Sequence, residues 1–315
     1  MRLNNLWTTN ARQLGTFFGL LLLIVFFWIW TPYFLTISNL LNIAQQTTIN
    51  AIIAVGLTFV IITAGIDLSV GSIMAFSGVV LASLLKADQP LIVALIGGVL
   101  TGGLCGLVNG TLISYGKLPP FIATLGMMSV ARGAALLYTD GRPISGFSAD
   151  FRFISNGEIL HIPVPVLLMV LIYFIAHFIL TRTKLGRYTY AIGGNELATM
   201  LSGVNVKMIK TVVYTLGGML SGFAAILLTS RLNSAQPIAG IMYELDAIAA
   251  AVIGGTSLVG GEGKLSGTLI GALIMGVLRN GLNLLGVSSF IQQIVIGSVI
   301  ICAVLIDMSL RKNKS

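Results

Sequence analysis

The chain has 315 residues; 56% are hydrophobic and only 28 are charged, 18 basic and 10 acidic, where a soluble domain carries roughly a quarter. A mean hydropathy of +0.97 excludes a water-surrounded core and empties any domain count made from length. The net charge of +8 would suit nucleic acid, but the Lys and Arg residues flank apolar runs, so they read as topogenic charge.

Long apolar runs must satisfy their own backbone hydrogen bonds in hydrocarbon, which predicts an all-α polytopic membrane protein. Arg2 and Arg12 precede a run that ends at Thr31-Pro32. No small-x-small cleavage site follows it, so an uncleaved first span is expected. About ten spans are predicted, at 15–31, 47–64, 69–85, 91–113, 120–138, 164–181, 209–230, 244–258, 265–285 and 289–307. The second and third are separated only by Gly65-Ile66-Asp67-Leu68, and the eighth is short and Gly-rich, as a broken or half-spanning helix would be.

With the N-terminus inside, 12 basic residues fall on the inner side, among them Lys117, Arg182, Lys184, Arg187, Lys207, Lys210 and Lys264. Four fall outside: Lys86, Arg142, Arg152 and Arg231. Both termini are therefore expected in the cytoplasm. The whole chain, 1–315, reads as one transmembrane domain, with an inner loop at 182–208 and an outer loop from Thr139 to Pro163.

Gly98, Gly102, Gly106 and Gly110 recur every four residues, as do Gly263, Gly267 and Gly271, so each set lies on one helix face. Such a stripe serves close helix packing within one subunit or a moving or dimeric contact. Asp67 suits the N-terminus of the third span, as a structural cap or as a contact to substrate. Arg132 and Arg279 fall inside spans, where a charge needs a partner or water. Asn280 and Asn283 follow Arg279 and suggest a polar lining for a hydroxylated solute; snorkelling of Arg279 is the alternative. The candidates for the translocation path are Asn50, Asp67, Asn109, Arg132, Arg279, Asn280 and Asn283. The run Asn50–Gly56 echoes Asp246–Val252, the mark of a duplicated transporter or of composition alone.

Gly263-Lys264 lacks the rest of a phosphate loop, with Leu258 and Leu265 at the other required positions, so ATP energy would have to come from another chain. No nucleophile, base and orienting set points to catalysis. Cys105 and Cys302 read as packing thiols, and His161 and His177 make no metal-ligand spacing with them.

In the inner loop, Asn195 can cap a short helix over Glu196 to Ser202, and Gly203 can end it. Leu197, Met200 and Leu201 would share one apolar stripe, which wants a partner surface or tucks under its own bundle.

Three stretches carry a specific resemblance: Gly65-Ile66-Asp67-Leu68-Ser69-Val70-Gly71-Ser72, the loop from Leu185 to Val206, and the run from Ser234 to Ala250. Gly254-Gly255-Thr256-Ser257-Leu258 and Asn280 to Ser289 agree with them. The chain resembles, from about Leu35 to Asp307, the permease subunits of bacterial ABC sugar importers of the ribose/xylose/arabinose/galactoside family. The resemblance implies a homodimeric pore in the inner membrane, surrounded by lipid and without a nucleic-acid partner. It implies a periplasmic sugar-binding protein outside and an ABC ATPase inside, which binds the ATP; this chain would hold no cofactor and no metal. It makes Gly194, Asn195, Glu196, Leu197, Ala198, Met200, Leu201, Ser202 and Gly203 the ATPase-coupling segment, whose spacing from Glu196 to Gly203 is one residue longer than the consensus of other importer families. Ribose is the solute implied, with xylose, galactose or a furanose-like signal as alternatives. An ion-coupled secondary sugar transporter would need ion-binding carboxylates or unwound ion sites; carboxylates are scarce, limited to candidates such as Asp246 and Asp307 near span ends, and none stands out.

Overall fold

The computed structural model describes the backbone of residues 2–312 and the side chains of residues 14–305. The terminal residues Arg2, Arg12, Arg311, Lys312 and Lys314, on which the expected sidedness of both ends partly rests, lie outside the described side chains. The described chain runs α1 (Arg2–Trp30), α2 (Ile37–Ile62), α3 (Val70–Lys86), α4 (Leu91–Ser114), α5 (Pro120–Thr139), β1 (Ile144–Ser145), α6 (Ala149–Asn156), β2 (Glu158–Ile159) and β3 (Ile162–Pro163). It continues with α7 (Val164–Arg182), α8 (Lys184–Gly194), α9 (Glu196–Leu201), α10 (Val206–Leu232), β4 (Ser234–Ala235), α11 (Tyr243–Ile253), α12 (Leu265–Leu284) and α13 (Ser289–Lys312).

Six of these helices, α2, α4, α5, α7, α10 and α12, are long and apolar enough to cross a membrane. The apolar part of α1 (Leu14–Trp30), α3 and the apolar part of α13 (Ser289–Leu305) are shorter. At 1.5 Å per residue the 11 residues of α11 reach only about 16 Å, half of a hydrocarbon core of about 30 Å. The protein is thus an all-α polytopic membrane protein, its strands being two-residue pairings of loops.

The second helix starts at Ile37, ten residues earlier than expected. Thr36 caps it, its Oγ1 accepting from the Asn39 N–H at 3.4 Å. The polar residues that hid this start are accommodated by a neighbour: Asn39 is buried and exchanges two hydrogen bonds with Asn280 of α12, at 2.9 and 3.0 Å. The helix expected at 244–258 stops at Ile253, because Gly255 turns the chain at φ +91°.

α2 is the hub. Nearly every side chain from Ile49 to Ile62 is buried among α3, α7, α10, α11 and α12. α4 lies against α10 along its glycines: a Cβ on Gly102 would overlap the Gly218 carbonyl oxygen, one on Gly106 the Tyr214 oxygen, and one on Gly110 the Thr211 backbone. Gly267 and Gly271 bring α12 equally close to the carbonyls of Gly254 and Ala250. Both glycine stripes therefore serve van der Waals contact inside one subunit, which is what holds helices together when water supplies no drive.

The connections gather at two ends. At one, Lys86 donates to the Gly146 carbonyl at 2.7 Å, β1 pairs with β4, and Ser155 bonds α10 through Ser230 and Leu227. At the other, Lys207 sits 5.5 Å from the Tyr115 ring, and α8 meets the 254–264 turn and the end of α2.

Candidate functional site

Between Ala235 and Tyr243 the backbone is not helical; Ala235, Pro237 and Gly240 are buried against the bundle, while Ile238 and Ile241 are exposed. Gly240 packs so tightly on Gly71 of α3 that a Cβ on either would overlap the other's backbone. Open backbone buried in a membrane protein is tolerated only where protein or a polar cavity satisfies it, and discontinuous helices mark the solute paths of transporters. Arg132 of α5 does the satisfying. Its Nη1 donates to the carbonyls of Pro237 at 2.6 Å and Ala239 at 2.8 Å. The partner this in-span arginine requires is therefore mainly the broken segment itself.

The segment delivers α11, whose first turn holds Glu244 and Asp246. Asp246 is 1% exposed, and its Oδ2 accepts from Arg279 Nη2 of α12 at 2.5 Å and from Asn50 Nδ2 of α2 at 3.3 Å. A buried carboxylate needs such pairing, because losing one partner would strand the other charge. The two residues of the echo, Asn50 and Asp246, thus meet in space. Asn280 and Asn283 do not join Arg279. Asn280 turns to Asn39, and Asn283 Oδ1 accepts from Gln292 Nε2 of α13 at 2.7 Å. On a helix, neighbours in sequence point about 100° apart, which turns Asn280 away from Arg279; Asn283, one turn further on, is taken by α13 instead.

The Gly65–Ser72 break forms a second buried polar group. Asp67 does not cap α3; Ser69 occupies that position. Asp67 Oδ1 instead accepts from the Ser69 N–H at 2.8 Å and the Ser69 hydroxyl at 2.5 Å, and Asn109 Nδ2 of α4 donates to that hydroxyl at 2.9 Å. Asp67, Ser69 and Asn109 are all fully buried. The named path candidates therefore fall into separate places: Asn50 with Arg279, Asp67 with Asn109, Arg132 on the broken segment, and Asn280 and Asn283 in helix contacts towards α2 and α13. Asp246, Ser69 and Asn39 were missing from that set; a lone acid near a span end and paired asparagines were the available signals.

The loop 182–208 is mostly helix. Thr183 Oγ1 caps α8 by accepting from the Gly186 N–H, so a stretch that reads as basic loop forms three turns. Gly194 closes α8, and Asn195 Oδ1 accepts from the Ala198 N–H at 2.8 Å to start α9. Ser202 is the C-cap, so the helix is one residue shorter than expected, and Gly203 follows at φ +83°. Leu197, Met200 and Leu201 are 62%, 53% and 78% exposed, so the stripe does not tuck under its own bundle. Glu196 Oε2 accepts from Lys210 Nζ at 2.6 Å, tying α9 to α10. Behind it, the Tyr190 hydroxyl donates to the Gly263 carbonyl at 2.7 Å, and burial pushes that phenol up to about 12. Gly193 sits against the Ile62 carbonyl and the Gly261 N–H, which are themselves bonded at 2.9 Å.

The sequence matches known proteins over nearly its whole length. A family described as the permease component of the branched-chain amino acid transport system matches residues 39–304. The ribose import permease protein RbsC of Haemophilus influenzae is 51% identical over 95% of this chain and 94% of its own length. RbsC of Bacillus subtilis is 52% identical over 94% of this chain and 92% of its own. The D-allose transport system permease protein AlsC of Escherichia coli is 43% identical over 95% and 92%. No solved structure matches the chain.

Proposed function

The chain belongs to this family of importer permease components, and we propose that it is the membrane-spanning subunit of an ATP-driven importer that carries ribose across the bacterial inner membrane. The observation that carries the solute is identity above half, over nearly the whole chain, to ribose import permeases of two distant bacteria. The family description names amino acids, but the full-length relatives named above carry sugars, and D-allose, a hexose, is the solute of a relative at lower identity.

On this reading the α8–α9 end faces the cytoplasm, ten helices lie in the membrane with both termini inside, and two copies enclose the pore. The exposed face of α9 docks in a cleft of an ATPase subunit, with Gly194 to Gly203 as the coupling segment. A periplasmic sugar-binding protein docks at the end built by β1, β4 and α6. ATP binding closes the ATPase pair and drives the two α9 helices together; the bundles rock and open the path outward, and hydrolysis resets them. The permease supplies no catalytic group. It needs only contacts that differ between the two pore states.

The test is uptake of labelled ribose in cells lacking their ribose permease and supplied with this chain, with xylose, galactose and a non-sugar as competitors. Ribose uptake that needs both the ATPase and the binding protein is expected. Uptake of a different solute would move the substrate, and uptake without the ATPase would overturn the mechanism.

A further inference from the structure

The Asn50, Asp246 and Arg279 group is not fully satisfied by its own bonds. Asp246 Oδ2 takes two donors, yet Asp246 Oδ1, Asn50 Oδ1 and Arg279 Nε are each buried with no hydrogen-bond partner among the described residues. Buried polar atoms are ordinarily paired, and a native structure that leaves three on neighbouring side chains asks for the missing partner. The three form a matched set: two acceptors and one donor, contributed by α2, α11 and α12. Two adjacent hydroxyl groups complete it. Their protons go to Asp246 Oδ1 and Asn50 Oδ1, and one hydroxyl oxygen accepts from the Arg279 N–H. The group stands where α11 emerges from the broken segment, the kind of place where transporters hold their cargo. The Arg279 side chain is 34% exposed, so solvent reaches this arginine although the three unpaired atoms are closed off.

We propose that Asn50, Asp246 and Arg279 form a station in mid-membrane that takes two neighbouring hydroxyls of the sugar in transit, closed in the conformation seen here. It rests on the ribose-importer reading and adds the site to it. The carboxylate and guanidinium stay paired with each other throughout, so a neutral polyol meets charge that is already balanced and is released easily.

The test uses this chain assembled with its ATPase and binding protein in liposomes, and scores ATP hydrolysed per ribose delivered. Asn50→Leu, apolar and of similar size, is expected to raise that ratio about tenfold, while half-saturating ribose, which the binding protein sets, does not move. Asn50→Ser puts an oxygen back on the same helix face and is expected to bring the ratio to within threefold of wild type. A merely structural role predicts the opposite order, because serine leaves the larger void. A wild-type ratio in Asn50→Leu, or no recovery in Asn50→Ser, overturns the station. Should Asn50→Leu fail to assemble, Asn50→Ala against Asn50→Ser makes the same comparison. If the wild-type protein delivers no ribose, the importer reading is what fails. The comparison is then scored on the solute it does deliver, and delivery only of solutes without hydroxyls overturns the station as well.

Discussion

The exposed face of α9 permits a quantitative prediction. Leu197 and Leu201 are 62% and 78% exposed in the free chain, so truncating them to serine removes almost no packing at home. Substitutions at such sites change folding stability by no more than about 0.5 kcal/mol. In a docked complex the same side chains leave water. Burying a leucine fully is worth about 1.5–3 kcal/mol, and only part of that survives as affinity once ordering is charged against it. Taking about 1.5 kcal/mol for each gives about 3 kcal/mol for the pair, or about a hundredfold in Kd at 1.4 kcal/mol per decade. The assay is titration of the detergent-solubilised Leu197→Ser/Leu201→Ser permease with the purified ATPase, alongside thermal unfolding of the permease alone. A hundredfold loss of affinity with unchanged unfolding is expected. Wild-type affinity would refute the docking role. Loss of permease stability would show that the stripe packs within its own subunit.

Gly102→Leu must push α4 away from the Gly218 carbonyl; a loss of about 3 kcal/mol is expected by thermal unfolding in detergent. Gly133→Ala faces open space within α5 and is expected to be neutral or to stabilise by about 0.5 kcal/mol. Arg132→Met strips the Pro237 and Ala239 carbonyls of their charged donor. Labelling of a cysteine at the half-buried Ala239 by an impermeant maleimide, in a background without Cys105 and Cys302, is expected to quicken several-fold. Tyr190→Phe removes the 2.7 Å tie to Gly263 and is expected to cost about 1 kcal/mol. Because burial raises this phenol to about 12, the wild-type contribution is complete below about pH 10, the unfolded value, and is lost as pH rises through 12; the difference between the two proteins' unfolding curves should follow that course.

The helices were legible because hydrocarbon leaves a long apolar run no other structure, and the apolar runs do lie on helices. What misled was polarity within a helix. Asn39 disguised the start of α2 because its partner, Asn280, is 241 residues away, and α8 looked like loop because its Lys, Arg, Gly and Tyr residues suit a surface. The α9 segment was the most legible part of the site, since an asparagine cap, an apolar stripe and a terminal glycine are local signals. The path was the least. Asp246 and Arg279 lie on different helices, and only a half-length helix following a broken segment brings them together; periodicity says nothing about which helix faces which. The glycine stripes were legible as contact faces, but their partners, α10 for one and the end of α11 for the other, were not.

Two of the breaks in the bundle, 63–69 and 254–264, are also where α8 is fastened. Gly193 lies against the Ile62 carbonyl at the mouth of the first, and that same oxygen accepts from the Gly261 N–H of the second, while Tyr190 holds Gly263. A helix under load moves as a rod, so its displacement is taken up where hydrogen bonding is interrupted, at non-helical joints. Asp67 and Ser69 form the inner wall of the first joint, and the second leads through α11 to Asp246. Lys210 ties α9 to α10 from the other side. A push on α9 therefore arrives at both joints through short, directional contacts rather than through the apolar core. This explains why glycine occupies the closest approach at 193: any side chain there would hold α8 off the Ile62 carbonyl and break the fastening.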